Sequence, residues 1–119
     1  MMLHEFTAED YKISPKCQPT ADGKGPFIYD KPNAVGTEIT VLVGSDEEMG
    51  SSASVGIMTE RDHTPFLTVY ILERSQDSDY LQEKVKKFFQ QNEAILESGS
   101  YEEIVEALDS LELEKHFQV

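Results

Sequence analysis

Hydrophobic and polar positions alternate twice in the middle of the chain, and the period changes from two to about three and a half near residue 80. In Thr37–Val43, Ile39, Val41 and Val43 alternate with Glu38 and Thr40, the pattern of a strand with one buried face. Ala53, Val55 and Ile57 repeat that alternation, with Ser54 and Gly56 on the opposite side. Phe66–Leu72 is apolar on both faces and partly β-branched, which predicts a strand placed centrally in the sheet. Two turns separate these runs: Gly44–Gly50, flanked by glycines, and Glu60–Pro65. Connections this short join antiparallel neighbours, because parallel strands need a long crossover. Residues 37–72 therefore read as a β-meander.

From Asp79 the spacing becomes helical. Leu81, Val85, Phe88, Phe89, Ile95 and Leu96 recur at helical intervals, with Asp79 as the expected cap and Gln82 as its reciprocal partner. Of Phe88 and Phe89, one ring must lie off the centre of that stripe, so both are buried only if the helix is sandwiched. Gly99 stops this helix, and Ser100-Tyr101-Glu102-Glu103 has the form of a capping box that starts another. Tyr101, Ile104, Val105, Leu108 and Leu111 form its apolar stripe, while Glu102, Glu103, Glu106 and Asp109 face water. The expectation is a helical hairpin over 79–117.

The first 36 residues carry Pro15, Pro19, Gly23, Gly25, Pro26 and Pro32, which exclude long regular elements. Short extended pieces at Tyr11–Ile13 and Phe27–Tyr29, and one helical turn at Ala8–Tyr11 capped by Thr7, are what this stretch accommodates. Strands first and helices last, without βαβ alternation, give an α+β fold. The reading is one domain over 1–119: an antiparallel meander of three to four strands covered on one face by two C-terminal helices.

Composition adds the surface. The 119 residues hold 23 Asp and Glu against 10 Lys and Arg, a formal net charge of −13. Two Arg face nine acids over residues 37–79, and four Lys face nine acids over 80–119, so the excess lies in the middle and C-terminal thirds. Repulsion of that size opposes compaction, which assigns the charge to solubility or to a partner rather than to the fold. An anionic surface is repelled by nucleic-acid phosphate and by acidic lipid headgroups. Direct nucleic-acid and membrane binding are therefore not expected, and the Lys84, Lys86, Lys87 patch has no aromatic stacking platform of the kind single-strand binders use. No apolar run approaches the ~20 residues of a bilayer span. The N-terminus, with Glu5, Glu9 and Asp10, lacks the basic-then-apolar order of a secretory signal. Cys17 has no second cysteine to pair with, and the expected location is cytoplasmic.

No constellation reaches a catalytic signature. Glu60-Arg61-Asp62-His63 places carboxylates beside an imidazole, but neighbours in a turn rarely orient as a general-base pair and no nucleophile stands near. His4, Cys17, His63 and His116 share no metal-ligand spacing, and His116 reads as a surface residue at a fraying helix end. Asp46-Glu47-Glu48 lacks the alternating ligands of a calcium loop. Ala21–Pro26 lacks the spacing of a phosphate loop. Catalytic residues, metal ligands and cofactors are accordingly none. The candidate contacts are Asp46, Glu47, Glu48, Glu60 and Asp62, at two expected hairpin tips.

The function this points to is a small acidic binding protein without catalytic activity. It would act as an inhibitor of the immunity-protein or phage counter-defence kind, occluding a basic, nucleic-acid-binding surface of a partner protein such as a nuclease. The alternative is a dimeric adaptor or secretion-chaperone-like subunit holding a client polypeptide; monomer and homodimer both fit the sequence.

Overall fold

The computed structural model describes residues 27–46 and 50–118. Five strands form one antiparallel sheet in sequential order: β1 (Phe27–Pro32), β2 (Glu38–Asp46), β3 (Gly50–Arg61), β4 (Thr64–Arg74) and β5 (Glu114–Gln118). Three helices, α1 (Ser78–Gln91), α2 (Glu93–Ser98) and α3 (Tyr101–Asp109), lie between β4 and β5 in the chain. The fold is α+β, with the meander carried by β1–β4. The pieces read at Thr7–Ile13, the Ala21–Pro26 turn, His4, Cys17, Glu47 and Glu48 lie outside the described residues.

The two alternating runs do what their period requires. Ile39, Val41 and Val43 pair across the ladder with Ile57, Val55 and Ala53, and all six are buried. Tyr70, opposite Val55, and Thr68, opposite Ile57, carry the same face onto β4 and are fully buried. Leu81, Val85, Phe88 and Phe89 of α1, Leu96 of α2, and Ile104 and Leu108 of α3 complete the core from above. Phe88 and Phe89 meet edge to face, with ring centroids 5.8 Å apart. Each such aliphatic side chain contributes roughly 1.5–3 kcal/mol on full burial.

The structure corrects several boundaries. β3, not the run around Phe66–Leu72, is the middle strand; β4 is interior but next to the edge, and a bulge shifts its register between Ala53 and Ser54. The β3–β4 connection is only Asp62-His63, both in the left-handed region (φ 51° and 64°), a two-residue turn matched to strand twist. At the other hairpin, β2 runs on to Asp46, which pairs with Gly50. Asp77, not Asp79, caps α1: its extended backbone lets the carboxylate accept from the amides of Asp79 and Tyr80. The first helix breaks at Asn92, whose side chain bonds back to the Phe88 carbonyl and competes with the helical ladder. The capping box of Ser100 and Glu103 forms as expected.

The helical hairpin read over 79–117 ends at Asp109. Leu111, expected in the buried stripe, is 47% exposed, because the chain turns at Glu112 (φ 57°) and packs Leu113 against the core instead. The chain then returns as β5 beside β4, so His116 sits in a strand and not on a helix end.

One side chain ties the sheet to the helices. In the β1–β2 loop, the Asn33 amide donates to the carbonyls of Leu96 (2.9 Å) and Gly99 (2.8 Å). Its Oδ1 accepts from the amides of Val35 and Thr37, both at 3.0 Å. Thr37 Oγ1 adds a bond to the Gly99 carbonyl, and the Ala34 amide donates to that of Glu97. These are end-of-helix carbonyls of α2 that its own ladder leaves open. At Gly99, a Cβ would press on the Ile95 carbonyl and on Ile104, so the α2–α3 junction closes only around glycine.

Asn33→Ala is expected to lower unfolding free energy by roughly 2 kcal/mol, because it strips carbonyls and amides of their partner in a half-buried site. Asn33→Asp should cost at least as much, since its second oxygen would face the Leu96 and Gly99 carbonyls with no proton to offer. Urea titration of the three proteins measures this; an Asp variant as stable as wild type would remove the clamp from the account.

Candidate functional site: carboxylate surfaces

The expected contact residues do not come together. Asp46 ends β2 and precedes Glu47 and Glu48, while Glu60 and Asp62 stand at the β3–β4 hairpin. β3 runs the whole way between them, and twelve strand residues span roughly 35 Å. Asp46 and the β3–β4 hairpin therefore occupy opposite ends of the sheet.

Glu60 and His63 do meet, with Nδ1 3.8 Å from Oε1, beyond hydrogen-bonding distance. The His63 side chain is fully exposed and that of Glu60 is 67% exposed, so nothing shields the pair from water. Among the described residues, no group of three or more His, Cys, Asp and Glu is arranged to hold a metal ion.

The base-free stretch richest in carboxylates begins on α2 and runs through α3 to the start of β5. From Glu93 to Glu114 the chain carries Glu93, Glu97, Glu102, Glu103, Glu106, Asp109, Glu112 and Glu114 without an intervening Lys, Arg or His. The apolar stripe of α3 turns Ile104 and Leu108 inward, which leaves Glu102, Glu103, Glu106 and Asp109 exposed along its outer side. α1 differs: Lys84, Lys86 and Lys87 interrupt its acids, and Lys84 and Lys86 approach Glu73 and Glu83. The water-facing residues of α3 were legible from their spacing. That they form part of the base-free stretch richest in carboxylates shows only when charge is followed along the helices rather than by thirds.

Two polar clusters anchor this region to β5. On the helix side, Asp109 Oδ1 accepts from the Tyr70 hydroxyl and from Lys115 Nζ, each at 2.8 Å, and Nζ stands 5.9 Å from the centre of the Tyr70 ring. Thr68 and Tyr101 join β4 to α3 through their hydroxyls at 2.8 Å. On the other side of β5, Glu114 Oε2 receives Arg74 at 2.6 Å and His116 Nε2 at 2.7 Å. The Lys115 bond, reinforced by Tyr70, holds the Asp109 carboxyl below its ordinary range against partial desolvation. The His116 bond and then the Arg74 bond lower Glu114 likewise. Burial, followed by the bond to Asp109, pushes the Tyr70 phenol up, so it stays a neutral donor.

Comparison with protein-family models, with characterised proteins and with solved structures finds no match for the chain. No described helix is long and apolar enough to cross a membrane.

These shifts set the pH profile. Asp109 and Glu114 are lowered in the folded state, so their contribution is complete above the ordinary carboxylate range near pH 4 and disappears as pH falls through their folded values. Tyr70 is raised, so its contribution holds below pH ~10 and is lost as pH climbs beyond it. Urea midpoints measured from pH 2 to 11 should fall at both ends. Asp109→Asn should flatten part of the acid limb, and Tyr70→Phe part of the alkaline limb. Unchanged limbs in both variants would contradict the assignment.

Proposed function

We propose that this is a non-catalytic binding protein whose carboxylate-lined helical surface occupies a basic, nucleic-acid-binding surface on a partner protein. The observation that carries the reading is the base-free run from Glu93 to Glu114, with four of its carboxylates exposed along α3. Carboxylates on a rigid helix imitate a row of phosphates. They repel nucleic acid and attract whatever binds it, and complementary fields of this kind accelerate association and select the partner. Asp46, Glu47 and Glu48, together with Glu60 and Asp62, extend the acidic field and serve as rim contacts. The partner class is a nuclease or another nucleic-acid-binding protein.

A second reading rests on the other side of the sheet. Leu42, Met58, Leu67 and Val69 stand partly exposed on the face away from the helices. Such a face supports a client-binding subunit of the adaptor or chaperone kind.

Affinity capture from host lysate at low salt, followed by a nucleic-acid displacement assay on the captured protein, separates the two readings. The inhibitor reading predicts that a stoichiometric amount of this protein abolishes the partner's nucleic-acid binding. Glu102→Gln, Glu103→Gln and Glu106→Gln together should weaken that inhibition about tenfold or more; glutamine at 103 preserves the capping box. A partner that keeps its nucleic acid in the presence of excess protein would contradict it.

A further inference from the structure

Between the β1–β2 loop and the start of the β3–β4 hairpin lies a concavity of about 330 Å³, lined by Gly36, Glu38, Met58, Thr59 and Glu60. Glu38 and Met58 are register partners on β2 and β3, and Glu60, two residues beyond Met58, projects to the same side of the sheet. Glu38 and Glu60 are thus diagonal neighbours, a relation that sets residues roughly 7–8 Å apart. The Met58 thioether lies beside them. Gly36, at φ 87°, has no atom within 4 Å of where a Cβ would stand, so the loop side is open.

Among the described side chains, neither carboxylate reaches a Lys or Arg; Glu60 has only the exposed His63 at 3.8 Å. Two carboxylates flanking a polarisable thioether suit a flat, delocalised cation. A guanidinium can offer one N–H edge to each carboxylate and lay its face on sulfur, which a compact ammonium does less well. We propose that this concavity receives the guanidinium of an arginine side chain. This rests on the reading above that the partner is basic, and it adds a defined pocket, distant in the chain from α3, to the field that attracts it.

The probe is N-acetyl-arginine amide, followed by tetra-arginine, titrated into the ¹⁵N-labelled full chain. Saturable shifts are expected at the backbone amides of Gly36, Glu38, Met58 and Thr59. Citrulline amide, isosteric but neutral, should leave them still. Glu38→Gln with Glu60→Gln should weaken the apparent affinity about tenfold or more, the loss of at least one charge-assisted bond. Glu83→Gln, on α1 and outside both surfaces, should leave it unchanged. The dispersion of each variant's spectrum verifies that it folds. Shifts confined to α3 would overturn the pocket while leaving the acidic-surface reading intact. Equal shifts from citrulline, equal affinity for lysine amide, or no shift at all would overturn the guanidinium assignment.

Discussion

Ile39, Val41 and Val43 on β2, Ala53, Val55 and Ile57 on β3, and Tyr70 on β4 project from one face of the sheet, and the need to bury that face organises everything else. It dictates that the helices lie on a single side, and it orients each of them. Turning Leu81, Val85 and Phe89 of α1 and Ile104 and Leu108 of α3 inward fixes which residues point outward. The carboxylates of α3 are exposed because the opposite stripe of the same helix is committed to the core. An acidic surface on a chain of net charge −13 is tolerated because the core, not the surface, holds the fold.

Burial alone does not specify where short helices sit, since apolar contact is non-directional. The Asn33 amide supplies direction by reaching the α2–α3 junction from the β1–β2 loop. β5 supplies a second attachment: Lys115 meets Asp109 at the end of α3, and Glu114 meets Arg74. Exposed ion pairs of this kind contribute little singly. The Tyr70–Asp109 bond differs, because the phenol belongs to a fully buried ring and links the core to the acidic surface.

Features that depend on a few neighbouring residues were legible in the sequence. Alternation predicted β2 and β3, and the Ser100–Glu103 pattern predicted the start of α3, because strand burial and helix capping are local rules. Phe27–Tyr29 was read as extended, and it grew into β1 by pairing with β2. The clamp was not legible: Asn33 bonds residues 63 and 66 positions away, and its sequence context shows only a loop. β5 was missed because Glu114–Gln118 lacks an apolar alternation; its inward Lys115 is held by Asp109 instead of by burial. The Glu60–Pro65 turn was legible, but not that Asp62-His63 alone closes it, since no glycine marks the two left-handed positions. Glu60–Asp62 was legible as a hairpin end, but only the length of β3 reveals how far it stands from Asp46.

The central claim is that exposed carboxylates on α3 draw in a basic partner. Its most direct measure is the association rate of the captured partner followed by stopped flow from 20 to 500 mM salt, with wild type and the triple Glu102, Glu103, Glu106 to Gln variant. At 0.1 M salt the field reaches about 10 Å, and at 1 M about 3 Å. Long-range attraction therefore predicts an association rate that falls steeply with salt in the wild type, and a slower, flatter dependence in the variant, with the dissociation rate changed less. Association rates that coincide for the two proteins and ignore salt would contradict the claim.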